Sequence, residues 1–185
     1  MSTEVDFNLP DIPDLSGILE QETPTWADGW YEGQIVERRS FVDKNGNERV
    51  FESGDMPSQK GDSRNIRLQA VITRKADGRT LATSVLVNYN PMDLSPETVN
   101  AVKERASNGG QMGDLFRPFM AIQRIGRLQQ IAGVRQLQRN GNGGLDLSPV
   151  FGKKAYFRLG QDDRNPQYRE VKEFRAEPPK KAQVQ

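Results

Sequence analysis

The sequence predicts a mainly β domain, an antiparallel sheet interrupted by one helical segment and preceded by an extended arm. Three observations lead there. Apolar and other residues alternate with a period of two, most clearly where Ile66, Leu68, Ala70 and Ile72 interleave with Arg67, Gln69, Val71 and Thr73. Turn residues such as Asn45-Gly46 separate such runs. Only one stretch, about residues 95–133, has three- and four-residue periodicity with capping residues at its ends.

The first 28 residues form a distinct arm. Leu9, Ile12, Leu15, Ile18 and Leu19 are spaced among acids and prolines with no strand alternation, so the arm builds no core of its own. It is either disordered or docked, and five large aliphatics within eleven residues favour docking on a partner or a neighbouring subunit as an extended segment. From Gly29 strands begin. "GWYEGQIVERRSFV" reads as one long strand, "DKNG" as its turn and "NERVF" as the return. A polar loop, "ESGDMPSQKGDS", leads to the strand "RNIRLQAVITRK", and "ADG" turns the chain into the β-branched run "RTLATSVLVNYN".

Helical grammar follows. Ser95 is placed to cap a helix with Pro96 at its first position and Glu97 in its first turn. After "SNGGQMG", the residues Leu115, Phe119, Ile122, Ile125, Leu128 and Ala132 recur at helical steps; Pro118 fits only a first turn, so this helix should start near Arg117, and Gly133 should end it. The glycine-rich loop "QRNGNGGLDLSP" precedes two strands, "KKAYFRL" and "QYREVKEF", with "GQDDRNP" as their turn. The tail, residues 176–185, is polar and expected to be loose. The domain thus spans 29–175 in the order β-β-β-α-β-β with one extra hairpin strand, the order of an OB-fold, a partly open barrel that binds oligonucleotides or oligosaccharides on one sheet face.

Composition narrows the chemistry. The 185 residues include neither cysteine nor histidine, which excludes disulfides, thiolate zinc sites, cysteine nucleophiles and imidazole-dependent triads. Carboxylates are scattered, and Asp162-Asp163 suits a turn better than a metal, so neither catalysis nor a cofactor is expected. No run is long and apolar enough to span a bilayer, and the acidic, proline-broken start is unlike a signal or transit peptide, which predicts a cytoplasmic protein. The net charge of +1 conceals a division: residues 1–28 carry seven acids and no Lys or Arg, leaving 26 cations against 18 acids in the rest. A basic body points to a polyanionic partner or to charge distributed for solubility.

The strand at Lys153–Gly160 focuses the question. Ala155, Phe157 and Leu159 share its core face, while the other face sets Tyr156 between Lys154 and Arg158. Single-strand binders need this pairing, because cations hold phosphates and each base stacked on a ring is worth roughly 1–3 kcal/mol. The candidate interface is therefore Tyr156, Lys154 and Arg158, helped by Arg67, Arg38, Arg39, Arg64 and the Trp30-Tyr31 pair, with Lys60 and Lys153 guiding phosphates from loop edges. Between Leu115 and Leu145 stand five arginines (Arg117, Arg124, Arg127, Arg135, Arg139) and no acid, an unmixed charge suited to a polyanion or to the chain's own acidic arm.

Taken together, "GWYEGQIVERRSFVDKNGNERVF", "IRLQAVIT", "GRTLATSVLVNYN", "FMAIQRIGRLQQIAG", "FGKKAYFRL" and "YREVKEF" resemble bacteriophage-encoded OB-fold single-stranded-DNA-binding proteins over about residues 29–175. The marks are an early Y-x-G-x-I strand, a mid-chain "GR" strand, a helix ending in "IAG" and the "GKKAYFRL" strand after a glycine-rich loop. The resemblance implies non-catalytic, largely sequence-independent coating of single-stranded DNA in phage replication and recombination. It places the protein in the host cytoplasm, as a homo-oligomer joined through the arm or a barrel edge and in contact with replication or recombination proteins. One departure is that the acids stand in the first residues, whereas bacterial single-strand binders usually carry an acidic partner-recruiting tail at the other end. The alternative function is a phage structural, assembly or host-protein-binding protein whose active part is the arm.

Overall fold

The chain breaks its first long run of strand residues at Glu37, and that break organises the fold. In the computed structural model, which describes residues 26–59, 61–166 and 168–185, β1 (Gly29–Val36) lies in the main sheet. β2 (Arg38–Val42) instead pairs only with β3 (Glu48–Glu52), forming a separate two-stranded ribbon. The expected Asn45-Gly46 turn closes it: Asp43 Oδ1 accepts from the amides of Asn45 and Asn47, and Gly46 has the positive φ such a turn demands. β4 (Gly54–Pro57), which falls in the stretch expected to be a loop, then pairs with Arg64–Arg67 of β5 (Arg64–Thr73), immediately beyond the Gln69–Thr73 segment that pairs with β1. β1 and β4 therefore continue one line along one edge of β5, and the ribbon is an excursion between them. Ser53 ties its base: its amide donates to Glu37 O, its hydroxyl donates to Val36 O, and Gln69 N donates to that hydroxyl.

β6 (Thr80–Tyr89) covers the other edge of β5, and β7 (Lys154–Gln161) and β8 (Arg169–Arg175) extend the sheet from β1. All these ladders are antiparallel, and the sequential path is β6-β5-β1-β7-β8. β6 and β8 approach each other without a ladder, so the sheet curls but no barrel closes among the described residues. Gly33 is packed closely between its neighbouring strands. A Cβ there would lie 2.5 Å from Val71 O and 3.1 Å from the Phe157 ring, which supplies a physical reason for glycine in the Y-x-G-x-I pattern.

Between β6 and β7 come α1 (Pro96–Ser107) and α2 (Phe116–Ala132). Ser95 caps α1 through Thr98 N, with Pro96 at the first helical position. α2 starts one residue before Arg117, keeps Pro118 in its first turn, and ends at Gly133 in the left-handed conformation (φ 72°). Its buried stripe runs Ala121, Ile125, Leu128 and Ala132, with Ile131 beside it; Phe119 and Ile122 of the expected stripe are only half-buried. The helix lies across the gap between β6 and β8, and its stripe meets the inner face of the sheet, where Tyr31, Ile35, Ile66, Leu68, Ala70, Ile72, Val85, Val87, Phe157 and Phe174 form the core.

At the end of the stretch 176–185, the last two residues meet the start of β1. Val184 bridges Trp30 in parallel, Gln185 N donates to Trp30 O, and the Gln185 side chain accepts from Tyr31 Oη while donating to Asp28 O. The sequence signal for order was weak because the segment pairs by backbone groups and one amide. Of the acidic arm, only Trp26, Ala27 and Asp28 are described; residues 1–25 lie outside the described residues.

Candidate nucleic-acid interface

The alternation in β7 sorts its side chains as the sequence predicts. Ala155, Phe157 and Leu159 are buried, while Lys154, Tyr156 and Arg158 occupy the outer face. Strand register then chooses their neighbours. Tyr156 stands opposite Glu32 of β1 and Arg175 of β8; Arg158 stands opposite Trp30 and Glu173. The Lys154 ammonium sits 5.9 Å from the centre of the Tyr156 ring and pairs with Glu32 at 3.0 Å, a hydrogen bond that raises its pKa. Arg158 Nε lies 3.5 Å from Glu173 Oε2. The aromatic ring is thus bracketed by two cations, each with one acid partner.

Several expected contributors are placed otherwise. Tyr31 is wholly buried: its ring packs edge-on against Trp26, and its hydroxyl donates to Ala27 O and Gln185 Oε1. Burial raises its pKa, and no face of the ring is open to a base. Adjacent residues of a strand point to opposite faces, so Trp30 and Tyr31 do not act as a pair. Trp30 does belong to the outer face, but only 8% of its surface is exposed, with the Arg175 guanidinium 5.7 Å from its ring.

Arg64 is held inside rather than offered outside. Its Nε donates to Asp55 Oδ1 at 2.9 Å and its terminal nitrogen to Asp55 O at 3.1 Å, while Asp55 Oδ2 accepts from Tyr89 Oη at 2.5 Å and Leu145 N at 2.7 Å. Burial and the Asp55 carboxylate push the Tyr89 phenol well above its ordinary pKa. This cluster pins the glycine-rich loop to β4, β5 and β6. Gly144 fits against it because a Cβ there would meet the Arg64 guanidinium at 2.5 Å.

Arg67 and Arg38 are exposed and Arg39 half-buried; Arg67 shares the outer face of β5. Gln69, expected on that face with Arg67, is buried beneath the ribbon's base, where Oε1 accepts from Arg39 Nε at 2.7 Å and from Ser84 Oγ. Lys153 is exposed just before β7, and Lys60 lies outside the described residues. Asp162 is a turn residue, accepting from the amides of Arg164 and Asn165.

The ribbon supplies what sequence reasoning did not assign to the interface. Phe41 and Phe51 stack with centroids 5.4 Å apart and planes 3° from parallel, and the Arg39 guanidinium lies 4.9 Å over Phe51. Phe41 remains 41% exposed. The signal was present: once the Asn45-Gly46 turn sets the register, Phe41 faces Arg49 and Phe51 faces Arg39, so the rings become diagonal neighbours. Arg39, reaching from the ribbon to Gln69, joins this stack to the outer face that holds Tyr156.

Among the described residues, no helix is long and apolar enough to cross a membrane, and no group of three or more His, Cys, Asp or Glu is disposed to hold a metal ion. No family model, curated protein or solved structure matches the chain.

Proposed function

We propose that the protein binds single-stranded DNA, largely without sequence preference, across the outer face of β1, β5 and β7 and along the β2–β3 ribbon. The observation that carries this reading is the pairing of exposed or half-exposed rings with cations, Tyr156 with Lys154 and Arg158 on the sheet's outer face and the Phe41–Phe51 stack with Arg39 on the ribbon, which Arg39 ties to β5 through Gln69. Rings give stacking platforms that every base satisfies, and cations track the backbone. The path β6-β5-β1-β7-β8, with helices between β6 and β7, supports treating the domain as an open OB-type barrel of the kind carried by phage single-strand binders. A role in phage replication or recombination, without catalysis and as a homo-oligomer, goes with that reading.

The test is fluorescence anisotropy of a labelled oligo-dT of about 30 nucleotides, against duplex of equal length, over a range of salt; OB-fold sites span about 4–16 nucleotides. Single-strand binding that beats duplex and weakens with salt is expected. Tyr156→Ala and Phe41→Ala should each weaken it by about 1–3 kcal/mol, roughly 5- to 150-fold, while leaving the thermal transition in place. Indifference between single strand and duplex, or wild-type affinity in both variants, would remove the reading.

A further inference from the structure

Where β6 and β8 draw together without pairing, α2 roofs a groove of roughly 220 Å³ lined by Val85, Leu86, Arg124, Arg127, Arg158 and Glu173, among others. Its charge is unbalanced. Glu173 Oε1 receives Arg175 at 2.6 Å and Arg127 at 2.9 Å, and its Oε2 has Arg158 at 3.5 Å. Arg124 lines the same groove and has no carboxylate within ion-pair distance among the described residues. Three guanidinium groups thus contact one carboxylate, and a fourth, that of Arg124, stands in the same groove. Lys172 does not add to the excess, because Asp163 at 3.0 Å and Glu170 both pair with it.

Such an arrangement is poorly explained as a stabilising device. Arg127 loses hydration in its half-buried position, which lowers its pKa; Glu173 opposes that shift, while the neighbouring Arg175 and Arg124 charges add to it. A second anion would relieve that repulsion, and guanidinium groups suit the oxygens of a phosphate. The groove also has the right position. Arg158 is shared between it and the outer face, two residues and about 6.6 Å along β7 from Tyr156.

We propose that this groove is a phosphate-binding continuation of the single-strand interface, in which a backbone phosphate seats between Arg124, Arg127 and Arg158, displaces Glu173 as the counter-ion of Arg127 and Arg158, and supplies one to Arg124. The inference rests on the single-strand reading and extends it from the sheet onto α2. Glu173 is then a built-in competitor of the ligand, holding Arg127 and Arg158 in place when no strand is bound.

The test follows from that competition. In anisotropy titrations of labelled oligo-dT across a salt series, Glu173→Gln should bind several-fold more tightly than the wild type. Arg124→Gln should bind several-fold more weakly, with the slope of log affinity against log salt reduced by about 0.7, one single-strand phosphate. Arg124 makes no ion pair with a described residue, so its variant tests the proposal even if Glu173→Gln proves too unstable to titrate. Arg124→Gln with unchanged slope, while Tyr156→Ala weakens binding, overturns the groove and leaves the sheet reading standing. Arg124→Gln that binds more tightly also overturns it, and points to the acidic residues 1–25 as the groove's occupant. A wild type that does not bind oligo-dT overturns both readings.

Discussion

Arg64→Met separates a structural arginine from a DNA-contacting one. The Arg64 side chain is only 12% exposed and that of its partner Asp55 fully buried, so the substitution removes the Nε bond at 2.9 Å and the backbone bond at 3.1 Å and leaves a buried charge with two neutral donors, Tyr89 Oη and Leu145 N. Removing one member of a buried ion pair costs about 3–5 kcal/mol; the slight exposure of Arg64 and the two surviving donors place this case near 3 kcal/mol. That is a large share of the roughly 5–15 kcal/mol that holds a typical domain together. Urea unfolding followed by tryptophan fluorescence should show it directly, since with a slope of about 2 kcal/mol per molar the midpoint should fall by about 1.5 M. Oligo-dT affinity under conditions where the variant is folded should stay within about twofold, a change of only ~0.4 kcal/mol. A variant that unfolds at the wild-type midpoint but loses DNA affinity would refute the reasoning and return Arg64 to the interface.

Two further outcomes follow from the packing. Gly33→Ala places a methyl 2.5 Å from Val71 O, a backbone atom that cannot swing aside, so a loss of at least about 2 kcal/mol and a fall in Tm of about 4–8 °C are expected by calorimetry; an unchanged Tm would contradict the packing of β1 on β5 and β7. In the β5–β6 turn, hydrogen bonding from Arg74 holds Asp77 down at about 2, below the ~3.9 of an unfolded chain, so its contribution is present above about pH 4 and lost as pH falls through about 2. The Asp77 carboxyl followed by NMR should titrate near that value, and Asp77→Asn should remove this part of the acid sensitivity; a midpoint near 4 would mean that the Arg74 contact is not formed.

The local alternation of residues was enough to determine which faces of β5 and β7 are core. In a strand, side-chain direction has a period of two whatever the strand's neighbours are, so Ile66, Leu68, Ala70 and Ile72, like Ala155, Phe157 and Leu159, declared their side. Caps and turns were legible for the same reason. Ser95-Pro96, Asn45-Gly46 and Gly133 act on backbone groups within a few residues of themselves. Partnership was not legible, because it depends on register between distant segments. Only the folded sheet decided that "GWYEGQIVERRSFV" would split at Glu37 into a sheet strand and a ribbon, that Gln69 would be roofed by Arg39, and that Arg64 would be consumed by Asp55 and a loop some eighty residues away. The charge on a residue is a property of the sequence. Whether that charge is spent on a neighbour or left for a ligand is set by tertiary geometry, and around Glu173 that geometry leaves guanidinium groups in excess.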